Sequence, residues 1–272
     1  MGDFLTLKHS FNSGDLLSVL PGIKRICAIE GKKAIIYQRL NLPADYSSND
    51  HHPIKNDEGV QVCMNQYMFD MLKPLIEYQD YVEEFKVWRG EEVIFDYDLT
   101  RMNSQMPLPG GNIYYWPTLI FPQLLPDVSE PWIETNYDDK NRYDWSKYIL
   151  INRTERYRNP YIHYYFLKDY QDKVLFIGTE RERELFNKEF DLNIQRLNVV
   201  DFYHLALYIG NCRFFIGNQS LAYHCAESTF TPRILEVCSQ FPNTFPMSKT
   251  GHPFINQGSL EYYFKKLLKE TA

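Results

Sequence analysis

Polar and charged side chains follow several predicted strands at the point where each strand turns into a helix. The first such segment is Ser13-Gly14-Asp15. Gly14 permits a tight turn, and a helix N-terminus offers unpaired N–H groups to a phosphate or an acceptor oxygen. Asp15 is then either a carboxylate general base or a cap of the helix, and the local sequence alone favours the cap.

A second segment, Asn152–Arg158, follows a predicted buried strand and contains three arginines. Guanidinium groups such as those of Arg153 and Arg156 hold diphosphates in bidentate fashion, and phosphates bind at the carboxyl ends of strands in such folds. The alternative is a solvated charged loop in which Glu155 is the partner of the arginines. The local sequence leaves both interpretations open.

A third segment, Phe214–Glu227, passes from a strand through Gly217 into a helix. Backbone N–H groups near Gln219 and Ser220 could hold a phosphate. His224 follows Ser220 by four residues, so both side chains lie along one helix face. A lone histidine in a helix is more often structural than catalytic, and no set of Cys or His ligands accompanies it, so we predict no metal site.

A fourth junction, Gly178-Thr179-Glu180, carries an acidic residue that could accept hydrogen bonds from a ribose. The alternative is a glutamate placed in the first helical turn by the helix dipole. The sequence contains neither a GxGxxG fingerprint nor a Walker loop, which excludes those two nucleotide-binding motifs. A GxSxG nucleophile elbow is also absent.

Composition narrows the class of protein. The 272 residues suffice for one large domain or two smaller ones, and 44% hydrophobic with 24% charged residues is typical of a globular chain. The net charge of −6 disfavours a nucleic-acid partner. No apolar run reaches the roughly 18 residues of a membrane-spanning helix, and no signal peptide is recognisable. The five cysteines form no CxxC pair, which favours reduced thiols and a cytoplasmic location.

Strands and helices alternate in both halves of the sequence, which predicts an α/β protein with parallel sheets. The expected fold is two doubly wound domains facing each other across a cleft, joined by a linker over Trp132–Asn141. The predicted strands are Phe4–Lys8, Lys33–Tyr37, Lys86–Trp88, Val93–Tyr97, Tyr148–Ile151, Lys173–Ile177, Ile194–Leu197, Phe214–Ile216 and Ile234–Val237. The predicted helices are a stretch from Asp15, Gln61–Tyr78, Tyr157–Asp169, Glu180–Phe190, Val200–Ile209, Leu221–Ser228 and Ser259–Lys269. A long polar loop is predicted over Asn41–Gly59.

Two of these segments resemble motifs of the lipopolysaccharide heptosyltransferases of glycosyltransferase family 9. Ser13–Lys24, SGDLLSVLPGIK, resembles the opening "GD…LP" segment of that family. Phe215–Pro232 resembles its "GNDSG..HLAAALGTP" segment at matching spacing. The resemblance implies the GT-B architecture of two Rossmann-like domains. The expected divisions are residues 1–135 on the acceptor side, residues 136–256 for the nucleotide-sugar donor, and a terminal helix over 257–272 that packs back toward the first domain.

The resemblance also implies roles for individual residues. Asp15 matches the candidate base that takes a proton from the acceptor hydroxyl. Ser220 and His224 match contacts to the donor phosphates, an arginine among residues 153–158 would supply the basic contact, and Glu180 matches the ribose contact. The remaining predicted donor contacts are Ser13, Gly14, Gly178 and Gln219. No metal or cofactor is expected, because side chains and helix N-termini neutralise the leaving diphosphate.

The implied activity is transfer of a sugar from a nucleotide diphosphate donor to a hydroxyl of a glycan or glycoconjugate. Contact with a membrane is expected only through a glycolipid acceptor. Two residues depart from the family motif, because Gln219 replaces an acidic residue and Leu221 replaces a glycine. These departures motivate the alternative of a catalytically silent protein of the same fold that binds a nucleotide or a glycan, or serves as a scaffold.

Overall fold

A computed structural model of the chain describes residues 3–44, 54–102, 110–136 and 144–271. The chain divides into two compact units. Residues 1–134 and 201–203 form the first unit, and residues 135–200 and 204–272 form the second. Residues 45–53 of the predicted loop and residues 137–141 of the predicted linker lie outside the described residues.

The first unit contains a parallel sheet in the order β3-β2-β1-β4. Its strands are β1 (Phe4–His9), β2 (Lys33–Gln38), β3 (Val82–Val87) and β4 (Tyr97–Asp98). Alternate side chains of β1 are buried, namely Leu5, Leu7 and His9, so this strand presents one face to the core. Short 3₁₀ helices follow at Ile113–Leu119 and Pro122–Leu124.

The second unit contains a parallel sheet in the order β10-β9-β8-β5-β6-β7. Its strands are β5 (Ile149–Asn152), β6 (Val174–Phe176), β7 (Gln195–Arg196), β8 (Phe214–Asn218), β9 (Arg233–Glu236) and β10 (Gly251–Phe254). In order along the chain this sheet reads 3-2-1-4-5-6, the doubly wound order of the Rossmann fold. The predicted α/β class with parallel sheets is therefore confirmed.

Side chains cap the N-termini of several of the α-helices. They are α1 (Ser13–Glu30), α2 (Gln66–Glu77), α3 (Glu180–Phe190), α4 (Phe202–Asn211), α5 (Leu221–Ser228) and α6 (Gln257–Glu270). The Thr179 hydroxyl accepts from the Glu182 N–H at the start of α3, and the Ser220 hydroxyl accepts from the Tyr223 N–H at the start of α5. These caps explain where α3 and α5 start, and the predicted bounds of both helices are confirmed.

Helix α6 packs on the sheet of the second unit. Leu260, Phe264 and Leu267 are buried in the apolar core of that unit. The Phe264 ring lies 5.6 Å from the Phe214 ring of β8 and 5.0 Å from the Phe166 ring, both edge to face. The predicted packing of this helix toward the first unit stays a prediction.

Several elements differ from their predictions. The strand predicted over Lys86–Trp88 lies mainly earlier in the chain, as β3 (Val82–Val87), and the helix predicted from Gln61 begins at Gln66. The helix predicted over Tyr157–Asp169 is wrong, because the chain runs as a loop to Tyr164 and then forms a 3₁₀ helix over Tyr165–Lys173. The strand predicted over Val93–Tyr97 is reduced to the two residues of β4. Strand β10 was not predicted, because its sequence GHPF lacks an apolar run.

All five cysteines lie within the described ranges and are buried with free thiols. Burial raises the pKa of the Cys27 thiol to about 12, and Glu30 adds to this shift. Burial also raises the pKa of Cys212 and of Cys225. Among the described residues, no helix combines the length and the apolarity that crossing a membrane requires.

Gly22 marks the closest approach of α1 to the 3₁₀ helix Pro122–Leu124. A Cβ atom at position 22 would lie 2.3 Å from the Leu124 carbonyl oxygen. We therefore expect Gly22→Ala to lower the free energy of unfolding by about 1–3 kcal/mol, measured by urea denaturation. In an open helix the same substitution is stabilising by up to about 1 kcal/mol.

Gly258→Ala in α6 is the matched control, since its Cβ would meet no atom closer than 3.6 Å. This variant should lose no stability. Equal stabilities of the two variants would contradict the close approach at Gly22.

Candidate functional site

The order of the second sheet creates a switch point between β5 and β8. From this pair of adjacent central strands the chain winds outward in opposite directions, through β6 to β7 and through β9 to β10. Ligands of doubly wound sheets bind in the crevice that such a reversal opens at the carboxyl ends of the strands. The loops that begin at Asn152 and at Asn218 leave the sheet at this point, so the second and third predicted segments lie next to each other.

Asn218 fastens these two loops together. Its fully buried carboxamide accepts from the Thr154 N–H at 3.0 Å and donates to the Thr154 and Arg156 carbonyl oxygens at 3.2 and 2.6 Å. The loop after β5 therefore has one defined backbone conformation at the switch point. This residue was not among the predicted site residues, although its place at a strand end was a signal for it.

Arg153, predicted to contact a diphosphate, is instead committed to a buried ion pair. Its side chain is 1% exposed. Its Nε donates to Glu236 Oε2 at 2.9 Å and its Nη2 to Glu236 Oε1 at 3.0 Å, a bidentate contact between the ends of β5 and β9. Burial alone would lower the pKa of the guanidinium, but Glu236, together with Tyr164 and Glu189, outweighs this effect and raises it. The geometry therefore gives no support to the predicted diphosphate contact.

Other groups complete the shell around this pair. The Tyr164 hydroxyl donates to Glu236 Oε2 at 2.8 Å, and the Asn159 N–H donates to Glu236 Oε1 at 2.7 Å. These contacts draw residues 157–164 across the end of the sheet. They are the physical reason why this stretch is not helical, in addition to Pro160.

Three further residues of the second unit were predicted to contact the donor, namely Arg156, Glu180 and Gly178, and each has a different environment. The guanidinium carbon of Arg156 lies 5.3 Å from the centroid of the Tyr157 ring. Glu180 is exposed in the first turn of α3, and its hydrogen bond from Arg183 lowers the pKa of its carboxyl. Gly178 has a φ of +154°, and a Cβ there would lie 2.8 Å from the Phe176 ring, so only glycine fits.

Ser220 and His224 lie at the start and within the first turns of α5. The Ser220 hydroxyl caps the helix, whose N-terminus opens at the switch point. His224 is buried, and the loss of hydration lowers its pKa to about 4. It is therefore a neutral imidazole near pH 7 in the protein without a ligand, and its predicted contact to the donor phosphates stays a prediction.

Gln219 is an anchor for the loop that follows β9. Its Oε1 accepts from the Cys238 N–H at 3.1 Å, and its Nε2 donates to the Phe241 carbonyl oxygen at 3.0 Å and to the side chain of Asn243. The side chain is 5% exposed. The departure of this residue from the family motif thus has a structural role inside the second unit.

The carboxyl end of β1 in the first unit carries the other predicted residues. Gly14 lies in the first turn of α1 and not in a tight turn before it. Asp15 Oδ2 accepts from the Asn12 N–H at 3.0 Å and from its Nδ2 at 3.1 Å, which is the capping arrangement that the local sequence favoured. Its predicted role as a base stays a prediction.

His9 and Gln38 form a buried pair beside this cap that was not predicted. Gln38 Nε2 donates to the Arg39 carbonyl oxygen at 3.0 Å, so its oxygen faces His9 and accepts from Nδ1–H at 2.8 Å. His9 Nε2 is then a lone-pair acceptor. Within the described residues, this atom and the buried hydroxyl of Ser13 have no hydrogen-bond partner. The signal in the sequence was a histidine at a buried position of the β1 alternation.

Comparison with protein-family models and with curated proteins finds no match. Solved structures do match. A glycosyltransferase of family 9 from Veillonella parvula aligns over 98% of both chains with a TM-score of 0.63 and 12% identity. The E. coli heptosyltransferase WaaC with ADP aligns over 98% of this chain and 99% of its own, with a TM-score of 0.62 and 12% identity. The chain has the fold of the family 9 glycosyltransferases.

The resemblance stated from the two motifs is thus confirmed at the level of the fold. A third similar structure is the iron-containing dodecameric glycosyltransferase TibC from enterotoxigenic E. coli, with a TM-score of 0.53 and 13% identity over 99% of this chain and 77% of that one. Among the described residues of the present chain, no group of three or more His, Cys, Asp or Glu side chains could hold a metal ion.

The Arg153–Glu236 pair predicts a large effect of a small substitution. Glu236→Gln removes the buried counter-charge of the guanidinium and leaves only the partly exposed Glu189 carboxylate at 3.3 Å, so we expect a loss of about 3–5 kcal/mol in the free energy of unfolding. Asp191→Asn is the matched control, because its ion pair with Lys168 is exposed. Its loss should stay below about 1 kcal/mol, and similar losses in the two variants would contradict the assignment.

His9 predicts a dependence of stability on pH. Burial lowers its pKa from 6.5 to about 4, against the weaker opposing effect of the Gln38 hydrogen bond. As pH falls below 6.5 the unfolded chain takes up a proton that the folded chain does not bind until about pH 4. The contribution of His9 to stability therefore declines across this window by about 1.4 kcal/mol per pH unit.

His9→Asn removes the titrating group and keeps a donor toward Gln38. Between pH 7 and pH 5 the free energy of unfolding should fall by about 2 kcal/mol less in this variant than in the wild type. Urea denaturation at the two pH values measures the difference. The same pH dependence in both proteins would count against a neutral buried His9.

Proposed function

We propose that this protein is a glycosyltransferase that moves a sugar from a nucleoside diphosphate donor to a hydroxyl of a glycan or glycoconjugate. The observation that carries the proposal is the switch point of the second sheet, where the loop after β5 meets the N-terminus of α5. The whole-chain likeness to family 9 glycosyltransferases, including one solved with ADP, supports the same reading.

In this mechanism the second unit binds the donor. The N–H groups at the start of α5 and the Arg156 guanidinium stabilise the negative charge that develops on the diphosphate as its bond to the sugar breaks. Helix N-termini and a guanidinium supply this charge compensation without a bound metal ion, which we propose for this reaction. The compartment we propose is the cytoplasm, with membrane contact only through a glycolipid acceptor.

The first unit supplies the base. Asp15 takes the proton of the acceptor hydroxyl, the freed oxygen attacks the anomeric carbon of the donor sugar, and the nucleoside diphosphate leaves. One oxygen of this carboxylate, Oδ2, is occupied by Asn12, which holds the side chain in one rotamer. A base fixed in this way loses little entropy when the acceptor binds.

The second candidate is a catalytically silent protein of this fold that binds a nucleotide or a glycan. The observation in its favour is that Arg153 and Gln219, both predicted to contact the donor, are committed to contacts within their own unit. The two candidates differ in turnover and not in binding.

A thermal-shift panel of nucleoside diphosphates and their sugar conjugates, with and without magnesium, tests donor binding. A ligand that binds only the native state stabilises it by about 2.7 kcal/mol at a hundredfold excess over its dissociation constant. We expect a shift with one nucleotide in the absence of magnesium. No shift with any of them would overturn the donor site.

Asp15→Asn separates binding from chemistry. The amide keeps an oxygen that can cap Asn12, so the fold and the nucleotide-induced shift should remain. Transfer should fall at least about a hundredfold, the lower range for loss of a general base. The rate of product formation is measured by mass spectrometry. Asp3→Asn, at an exposed acidic residue, is the control. Undiminished transfer would rule out Asp15 as the base, and a wild type that binds but never turns over would favour the silent protein.

A further inference from the structure

Tyr157 has a strained backbone at the switch point. Its φ of +57° lies in the left-handed region, which is uncommon for a residue other than glycine. Asn218 offsets the cost, since its carboxamide holds the carbonyl oxygens of Thr154 and Arg156 on the N-terminal side of this residue. Strain that the surroundings enforce in this way concentrates at binding sites.

Phe241 is fixed on the other side of the switch point. It lies in the loop after β9, and its ring belongs to a side chain that is 54% exposed. Gln219 accepts from the Cys238 N–H and donates to the Phe241 carbonyl oxygen, so one buried carboxamide holds the backbone of this loop at both residues. The backbone that carries this exposed ring is therefore held in place by a buried side chain.

The rings of Tyr157 and Phe241 meet, and we call them the aromatic pair. Their centroids are 6.3 Å apart and their planes are inclined by 80°, an edge-to-face contact. They come from the loops after β5 and β9, the two strands that flank β8, so the pair spans the carboxyl end of β8. The Arg156 guanidinium carbon lies 5.3 Å from the Tyr157 ring centroid and adds a positive charge beside it.

We propose that the aromatic pair binds the heteroaromatic base of the nucleoside diphosphate, and that Asn218 and Gln219 are the positioning residues that set it. This inference rests on the proposed function, because it names the part of the donor that this surface recognises. Aromatic rings stack on the flat faces of nucleobases whatever the base, and a guanidinium strengthens such a site. The pyrophosphate would be bound by the N-terminus of α5 and the Arg156 guanidinium, and not by the two aromatic rings.

The same geometry accounts for glutamine at position 219. A carboxylate there would face the Phe241 carbonyl oxygen and the Asn243 side-chain oxygen, which both require a donor. The carboxamide supplies that donor and still accepts from the Cys238 N–H. Glutamine in place of the acidic residue of the family motif thus removes a charge from the strand end and allows the loop that carries Phe241 to be anchored.

Titration calorimetry with ADP, GDP, UDP, CDP and inorganic pyrophosphate tests the proposal on the full chain. Phe241→Ala should weaken binding of the preferred nucleoside diphosphate about five- to a hundredfold, and leave binding of pyrophosphate unchanged. Phe241→Trp should restore it. Tyr161→Ala removes an 83% exposed aromatic ring elsewhere in the same unit and should bind as the wild type does.

The outcomes separate this inference from the proposed function. Unchanged nucleoside diphosphate affinity in Phe241→Ala, or an equal loss for pyrophosphate, overturns the aromatic pair alone. A wild type that binds none of the four nucleoside diphosphates overturns both the pair and the donor site.

A double-mutant cycle tests the positioning role of Gln219. Gln219→Ala should weaken nucleoside diphosphate binding when Phe241 is present and should have no further effect in the Phe241→Ala background. An equal loss in both backgrounds would show that Gln219 acts without the ring, which overturns its role as a positioning residue.

Discussion

The bidentate contact between Arg153 and Glu236 is the constraint on which the carboxyl edge of the second unit depends. Both charges are removed from water, so each requires the other, and their strands, β5 and β9, lie on either side of β8. The remaining acceptor positions of Glu236 are filled by Asn159 and Tyr164. A single carboxylate therefore fixes the path of the chain from the end of β5 to the beginning of the next helical segment.

Neutral carboxamides complete what the ion pair begins. Asn152 donates to the Ile177 carbonyl oxygen, and Asn218 and Gln219 each bridge backbone groups of a neighbouring loop. In the first unit Gln38 does the same at the end of β2. A carboxamide both donates and accepts, so it can satisfy a backbone carbonyl and a backbone N–H without placing a charge at the strand end. The carboxyl ends of these strands are thus held in one conformation by neutral side chains, and the net charge there comes from exposed residues.

The alternation of strands and helices could be predicted because the central parallel strands are short apolar runs and several of the helices carry an N-terminal cap. Helix α5 is an example, because the N-cap residue Ser220 marks its start in the sequence. The segment Tyr157–Asp169 could not be predicted, because the spacing of its aromatic residues fits a helix and its actual path is set by Glu236, far along the chain. The role of Arg153 was hidden for the same reason, since its partner is 83 residues away. Local sequence indicates where the site lies, and long-range pairing decides which of its side chains are available.

The buried cysteines allow the opening of each unit to be measured separately. Cys27 and Cys63 belong to the first unit, and Cys212, Cys225 and Cys238 to the second. A thiol reagent reacts with the ionised, accessible thiol, so modification of each set proceeds only through opening of the unit that contains it. The rate of thiol modification therefore reports on the opening of each unit separately. A ligand that stabilises one unit would slow modification of the cysteines in that unit and leave the rate in the other unchanged.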